Sequence, residues 1–261
     1  MYIQIYTITH KKFIKENPDI YVPLFVGADL TEKTYDYLKD NTGENISKQN
    51  NIYAELTGEY WAWKNSNSDI IGFCHYRRYF SKNISFSILK EKDIIKYLKN
   101  NDIILPQKTI LRRTVYETIK RSYNKQKMGS KPEEYSKLKK IIENEYPEYL
   151  QSYEHVLSNK ECYNNNMFIC NKKLADDYFK WLFFILKKME SKINFNEYNK
   201  NNQRVLGYLS EVLLTVYVKK HELKIKECYL YVSERKFPLL QVLVRKFPII
   251  ADIEEYLIST K

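Results

Sequence analysis

Asp69-Ile70-Ile71-Gly72-Phe73-Cys74-His75-Tyr76-Arg77-Arg78-Tyr79-Phe80 is an apolar run that leads directly into a histidine and two adjacent arginines. An apolar run of this length between polar residues predicts a buried strand of an α/β sheet. Because ligands of such sheets bind beyond the carboxyl ends of the strands, His75, Arg77 and Arg78 are expected at a binding edge. Guanidinium groups present their donors in a fixed fork that suits phosphate or carboxylate. The alternative is a solvated strand end beside a carboxylate-rich neighbour.

The elements around this strand follow an α/β order. Alternating apolar residues over 1–9 predict a first strand that ends at Thr9-His10-Lys11, a second basic strand end. A helix over 53–65 is expected to lead directly into the strand at Asp69. The remaining expectations are an extended segment at 21–28, helices at 30–38, 87–97, 115–145, 174–189 and from 203, and strands at 102–106 and 167–170.

Length and composition restrict the class of protein. The 261 residues permit one large domain or two small ones, and a hydrophobic content of 44% is ample for a core. No apolar run approaches membrane-spanning length, and the N-terminal residues lack the features of a signal peptide, so we expect a location inside the cell. The four cysteines lack the short paired spacing of metal sites, which indicates buried thiols.

The net charge of +11 and the pI near 9.2 indicate an anionic partner or surface. Nucleic acid, a nucleotide sugar and an acidic membrane face all fit this charge. No zinc-finger spacing or RNA-binding aromatic signature is present, so nucleic acid is not the expected partner. The abundance of Lys, Asn and Ile is typical of AT-rich coding sequences, which accounts for part of the charge. Residues 231–261 form a basic amphipathic extension that either docks on anionic lipid or caps the domain.

Two further segments carry candidate polar groups. Residues 164–166 are three asparagines before an apolar strand, and their amides suit sugar hydroxyls unless the run is a featureless loop. Glu211 lies in a largely apolar helix, where an unpaired carboxylate is costly. It is expected either to form a salt bridge, with Arg204 or the Arg77-Arg78 pair, or to act as a catalytic base.

Several segments together resemble one family of bacterial capsular and exopolysaccharide biosynthesis glycosyltransferases, long carried as a domain of unknown function, some of which are galactofuranosyltransferases. The resembling residues are Thr9-His10-Lys11, Tyr21-Val22-Pro23-Leu24, Val26-Gly27-Ala28, Asp40-Asn41-Thr42-Gly43-Glu44-Asn45-Ile46-Ser47, Glu55-Leu56-Thr57, Tyr60-Trp61-Ala62-Trp63-Lys64-Asn65, Gly72, His75-Tyr76-Arg77-Arg78-Tyr79-Phe80, Asn166-Met167-Phe168-Ile169, Arg204 and Gly207-Tyr208-Leu209-Ser210-Glu211. The resemblance covers residues 1–230 and leaves the extension at 231–261 outside.

The resemblance implies an α/β fold of GT-A type, with a central, mostly parallel sheet flanked by helices and helical additions. It implies transfer of a sugar, galactofuranose among the candidates, from a UDP-sugar donor to a lipid-linked oligosaccharide. The expected location is the cytoplasm, with peripheral attachment to the inner face of the plasma membrane as an alternative. The donor-binding residues are then expected to be Thr9, His10, Lys11, Asp40, Asn45, Glu55, Thr57, His75, Arg77, Arg78, Asn165, Asn166 and Arg204, and the catalytic candidates Glu211, Asp69 and His75.

The sequence departs from many related enzymes because it contains no Asp-x-Asp metal motif. Dependence on Mn²⁺ or Mg²⁺ is therefore open, and Arg77 and Arg78 are expected to neutralise the leaving diphosphate in place of a metal. Two rival hypotheses are a non-catalytic, nucleotide-binding scaffold of a polysaccharide assembly complex and a nucleic-acid-binding protein.

Overall fold

The computed structural model describes residues 1–13, 19–33, 35–84, 87–124, 129–199 and 202–233. The strands are β1 (Ile3–Thr9), β2 (Tyr21–Phe25), β3 (Leu38–Lys39), β4 (Ile70–His75), β5 (Arg78–Ser81), β6 (Ile103–Pro106), β7 (Thr109–Ile110), β8 (Glu161–Cys162), β9 (Ile169–Asn171) and β10 (Ile225–Val232). The α-helices are α1 (Asn50–Tyr53), α2 (Leu56–Asn65), α3 (Glu91–Leu98), α4 (Val115–Asn124), α5 (Pro132–Glu145), α6 (Leu150–Ser158), α7 (Lys172–Glu190) and α8 (Val205–Lys220).

The main sheet has the strand order β3-β2-β1-β4-β5-β10-β6-β9. The half from β3 to β4 is parallel, with β1 between β2 and β4. In the other half β10 runs parallel to β6, whereas the β4–β5, β5–β10, β6–β9 and β4–β9 pairs are antiparallel. The expectation of a mostly parallel sheet is therefore wrong for the described strands, which form a mixed sheet within an α/β fold.

Strand β9 pairs with both β6 and β4, so five strands, β4, β5, β10, β6 and β9, close into a small barrel. Gly72 in β4 permits this closure. A Cβ atom at Gly72 would lie 2.7 Å from side-chain atoms of both Ile169 and Ile5. A larger residue would push β4 away from its neighbours on one side.

The central strands β1, β4 and β6 are buried on both faces, because their side chains are buried at successive positions and successive side chains point to opposite faces. In β1, Ile3 and Ile5 join the smaller apolar cluster, which includes residues of all five barrel strands, whereas Tyr6 and Ile8 join the larger cluster, which includes residues of α7 and α8. The long helix α7 covers the larger cluster with a buried face that includes Phe179. All four cysteines are buried free thiols, as predicted.

Three predicted helices differ from the structure. The one at 115–145 is divided into α4 and α5, with non-helical backbone at 129–131. Residues 30–38 do not form the expected helix; a 3-10 turn at Ala28–Leu30 is followed by non-helical backbone and β3, with Thr34 outside the described residues. The predicted helix at 53–65 is broken at Ala54, which has a φ of 52° and separates α1 from α2. The strand at 102–106 and the helices at 174–189 and from 203 are confirmed.

Strand β10 continues to Val232, so the first two residues of the segment assigned to the C-terminal extension belong to the sheet. The rest of that extension, residues 234–261, lies outside the described residues. Among the helices that the structure describes, none is both long enough and apolar enough to cross a lipid bilayer.

Candidate active site

The strand order positions the site. Strand β1 has parallel neighbours on both sides, β2 and β4. The chain that follows β1 therefore continues to the β2 side of the sheet, whereas the chain that follows β4 continues to the opposite side. In open α/β sheets a crevice forms at this switch point, beyond the carboxyl ends of the strands. Here those ends are Thr9 in β1 and His75 in β4. A cavity of about 430 Å³ lies at this edge, within the size range of ligand pockets.

We call this whole space the main cavity, and basic side chains line one part of it. Tyr76 and Arg77 form the two-residue turn between β4 and β5, and Arg78 begins β5 opposite His75. This tight hairpin brings both guanidinium groups to the carboxyl end of β4, as expected from the sequence. Both arginines line the main cavity, together with His10. Their fixed donors suit a bound anion.

Helix α8 supplies the opposite wall. Arg204, Gly207, Tyr208 and Glu211 recur at helical spacing and all line the main cavity. The Nε atom of Arg204 donates a hydrogen bond of 2.8 Å to the hydroxyl of Tyr208, which fixes the guanidinium in the cavity wall. This face of α8 therefore presents a cation and a carboxylate to the same space.

Glu211 is the carboxylate in this wall whose pKa its surroundings raise. Burial, followed by the negative charge of Glu55, raises the pKa of Glu211 from 4.5 to about 7. A backbone hydrogen bond from Asn165 and the charges of Arg78 and Arg204 act in the opposite direction. A carboxylate with a pKa near neutrality is suited to accept a proton during a reaction.

The segment 163–166 lies between the strands and α8. Asn165 and Asn166 have φ angles of 77° and 49°, in the left-handed region that asparagine tolerates better than most residues. The side-chain amide of Asn166 donates to Glu55 Oε1 at 2.8 Å and to the Gly207 carbonyl at 3.1 Å. Its Oδ1 atom is buried without a partner among the described residues. Asn166 thus lies beneath the main cavity and holds Glu55 in its wall.

His75 is bound by the same segment. Its Nε2 atom lies 2.8 Å from the carbonyl oxygen of Asn165. Since a carbonyl only accepts, Nε2 carries the proton. Burial is the main cause that lowers the pKa of His75. The negative charge of Glu55 acts in the opposite direction, whereas the positive charge of Arg78 lowers the pKa further. A neutral imidazole at this position orders the segment 163–166.

Asp40 and Thr57 have a supporting role in the structure. The buried carboxylate of Asp40 accepts hydrogen bonds from the backbone N–H groups of Gly27 and Ala28 and from the hydroxyls of Ser47 and Thr57, at 2.6 to 3.1 Å. Four donors fill its acceptor capacity. Neither Asp40 nor Thr57 is in the cavity wall, so they shape the loop at Gly27 from behind.

The break between α1 and α2 also faces the main cavity. Ala54, with φ 52° and ψ −126°, is in a conformation that is costly for a residue with a Cβ atom. Asn50 stabilises it by donating from Nδ2 to the Ala54 carbonyl at 2.7 Å and to Thr57 Oγ1 at 2.9 Å. Both Ala54 and Asn50 line the cavity. Strained backbone that the surroundings hold in place is common at functional sites.

Besides Asp40, Thr57 and Asn166, three more predicted residues are not in the cavity wall: Asp69, Asn45 and Lys11. Asp69 lies at the opposite end of β4 from His75, where its exposed carboxylate accepts a hydrogen bond from the Tyr2 backbone. It therefore cannot serve as a base at this edge. Asn45 bonds within its own loop, to Gly43 and Ser47.

Lys11 places its ammonium 4.9 Å from the ring centre of Tyr76, beside the main cavity. Thr9, two residues earlier, does line the cavity, and its hydroxyl donates to the Lys11 carbonyl at 2.6 Å. The predicted strand-end motif is thus divided between a residue of the wall and a residue of the rim.

Sequence reasoning missed Asn50, Ala54 and Tyr208 as parts of the wall. Asn50 and Ala54 carry no signal, because the break at Ala54 interrupts an otherwise helical pattern. Tyr208 was present among the resembling residues, three positions before Glu211, and that helical spacing could have identified it.

The described residues offer few protein ligands for a divalent cation. Among them, no group of three or more His, Cys, Asp or Glu side chains is arranged to hold a metal ion. The two carboxylates of the main cavity are Glu55, which accepts from Asn166, and Glu211, whose protonated form burial favours. Arginine is the more abundant charged residue in the wall, with Arg77, Arg78 and Arg204.

Comparison with known proteins identifies the family and a similar solved structure. The model of the family described as domain of unknown function DUF4422 matches residues 4–222. The apo structure of the bifunctional glycosyltransferase WbbM is similar, with a TM-score of 0.82 and 30% sequence identity, over 90% of this chain and 46% of WbbM. The chain thus spans about half the length of that protein. No curated protein matches the chain. The predicted family membership is confirmed, and the chain belongs to the family described as domain of unknown function DUF4422.

Proposed function

We propose that this chain is a glycosyltransferase of GT-A type that transfers a sugar from a UDP-sugar to a glycan acceptor, with Arg77 and Arg78 on the diphosphate and Glu211 as the base. One observation carries the proposal: the main cavity at the β1–β4 switch point has three arginines facing a carboxylate of raised pKa. The structural likeness to WbbM, a bifunctional glycosyltransferase, supports the same class of reaction.

The donor would bind with its diphosphate at the hairpin between β4 and β5. Transfer breaks the bond between the anomeric carbon and the diphosphate oxygen, and the electron pair leaves with UDP. Negative charge then grows on the β-phosphate, where the Arg77 and Arg78 guanidinium groups can stabilise it. Arg204, which enters the same cavity from α8, adds a third positive charge.

The acceptor reaction needs a proton acceptor. A hydroxyl oxygen of the acceptor forms the new bond to the anomeric carbon and releases its proton, which Glu211 takes up. A pKa of about 7 leaves a large ionised fraction of Glu211 at neutral pH and still permits proton uptake. The nearby backbone N–H of Asn165 favours the ionised form of this carboxyl.

The uridine would occupy the part of the cavity between β1 and the break at Ala54. Thr9, Val26 and Asn50 line that part. Their mixture of apolar surface, hydroxyl and amide suits a flat base with polar edges. We further propose galactofuranose as a candidate donor sugar and a lipid-linked oligosaccharide as acceptor. The proposed reaction takes place at an anionic membrane surface.

A UDP-release assay with a panel of UDP-sugars tests the proposal, with Arg113→Ala as a control for the loss of one surface arginine. Arg113 is exposed and outside the main cavity. We expect at least one UDP-sugar to be turned over by the wild type and by Arg113→Ala. Binding of UDP without turnover of any donor in the panel would favour the scaffold, and absence of UDP binding would contradict both.

A further inference from the structure

A second cavity, of about 150 Å³, adjoins the main cavity and has a different chemical character. Val115 and Ile119 of α4, Tyr135 of α5 and Val212 of α8 supply much of its wall. None of the described residues that line it is Lys, Arg or His. The second cavity is therefore unsuited to a phosphate group and suited to an uncharged ligand.

Three residues line both cavities: Asn164, Tyr208 and Glu211. The two spaces thus lie on either side of a shared wall that contains the candidate base. A ligand in the second cavity can present a hydroxyl to Glu211 while a nucleotide sugar occupies the main cavity. This is the relative placement that a transfer reaction needs.

Gly129 maintains the shared wall. A Cβ atom at Gly129 would lie 1.9 Å from the ring of Tyr208, so glycine leaves the space that this ring occupies. The ring also contacts Arg204, whose guanidinium carbon lies 5.2 Å from the ring centre. Tyr208 is therefore fixed between the two cavities.

An unsatisfied polar atom also lines the second cavity. Ser130 is 5% exposed, and its Oγ makes no hydrogen bond of normal geometry with any described residue. It does lie close enough to Tyr135 to influence the pKa of that phenol. A buried hydroxyl with unused hydrogen-bonding capacity is costly unless a ligand or water supplies the partner. Ser130 thus provides a polar contact in a mostly apolar wall.

We propose that the second cavity binds the terminal sugar ring of the glycan acceptor. This inference rests on the proposed function. Sugar rings combine apolar C–H faces with hydroxyl edges, and the cavity combines the Tyr135 and Tyr208 rings with Ser130, Asn164 and Glu211. An apolar cavity of about 150 Å³ accommodates a ring the size of benzene. Its size suits one ring better than a long lipid chain, which would have to remain outside.

Saturation-transfer difference NMR with a panel of methyl pyranosides and methyl furanosides, in the presence of saturating UDP, tests this proposal. The variant Ile119→Trp fills the cavity from α4, and Lys120→Trp places the same ring on the adjacent exposed position. We expect at least one methyl glycoside to give a signal with the wild type and with Lys120→Trp that Ile119→Trp reduces at least tenfold. UDP affinity should change less than twofold in both variants.

UDP binding separates the two levels of the proposal. If UDP binds to the wild type and every glycoside signal is either absent or unaffected by Ile119→Trp, the acceptor site is wrong and the donor site stands. If UDP itself does not bind, the proposed function is wrong. Should Ile119→Trp not fold, Ser122→Trp fills the same cavity from a polar wall position and carries the same expectations.

Discussion

The Nε2 atom of His75 and the carbonyl oxygen of Asn165 lie 2.8 Å apart, although the two residues are 90 positions apart in the chain. The backbone N–H of Asn165 also lies close enough to Glu211 to act against the rise in the pKa of that carboxyl. One residue in a left-handed conformation therefore joins the end of β4 to the candidate base on α8. The geometry of the site depends on the backbone of Asn165 as much as on its side chain.

Substitutions at Asn165 should separate backbone from side-chain roles. Asn165→Gly keeps access to a φ of 77° and should retain the fold within about 1 kcal/mol. Asn165→Val should lose about 1–3 kcal/mol of unfolding free energy, because a β-branched residue is strained there. Urea denaturation of both variants checks this. A stable Asn165→Gly variant without transfer activity would show that the amide contacts the sugar, as the sequence suggested.

The pH dependence of transfer should report Glu211. Because its pKa is raised to about 7, the ionised base becomes available only as the pH rises through that value, and kcat/KM should rise with it. Glu211→Gln should lower kcat/KM by about 10²–10⁴ and abolish that rise while UDP still binds. A variant that keeps the wild-type profile would assign the titration to another group.

The same shift has a consequence for stability. Between pH 4.5 and about pH 7 the folded protein holds the Glu211 proton more tightly than the unfolded chain does. Wild-type stability should therefore fall relative to Glu211→Gln as the pH rises through this window. Denaturation curves at pH 5 and pH 8 measure the difference.

The buried carboxyl of Glu59 in α2 is expected to destabilise the folded protein. It is 1% exposed, its two carboxylate oxygens have no partner among the described residues, and burial raises its pKa well above 4.5. Glu59→Leu should stabilise the protein by about 1–3 kcal/mol at pH 8. The gain should shrink at pH 4.5, where the wild-type carboxyl is protonated. Destabilisation at both values would reveal a buried partner of Glu59.

Removal of divalent cations should leave activity intact, because the proposal assigns neutralisation of the diphosphate to Arg77 and Arg78, which line the main cavity. After dialysis against EDTA, the rate of UDP release should stay within about twofold of the untreated rate. Loss of activity that Mn²⁺ or Mg²⁺ restores would contradict the assignment of charge neutralisation to Arg77 and Arg78.

The sequence pattern predicted those features that depend on local periodicity and on the ends of strands. The alternation in β1 and the apolar run of β4 placed Thr9, His75, Arg77 and Arg78 at one edge correctly. Parallel strands necessarily bring their carboxyl ends to the same side, so the pattern was sufficient there.

Features that depend on tertiary contacts could not be predicted in the same way. Asp69 resembles a base candidate in the sequence, yet its position at the amino end of β4 removes it from the site. Asp40 has four buried donors around it that come from residues 27, 28, 47 and 57, and no local pattern reveals such a set. The strain at Ala54 is likewise imposed by Asn50 and the surrounding fold.

Titration of UDP into the wild type, Arg77→Ala, Arg78→Ala and the control Arg113→Ala by isothermal calorimetry tests the diphosphate site most directly. Hydrogen bonds to charged groups contribute about 1.5–3 kcal/mol. We predict that each cavity variant binds UDP about 10–150-fold more weakly than the wild type with an unchanged circular-dichroism spectrum, while Arg113→Ala binds normally. Equal UDP affinity in all four proteins would contradict the assignment of Arg77 and Arg78 to the diphosphate.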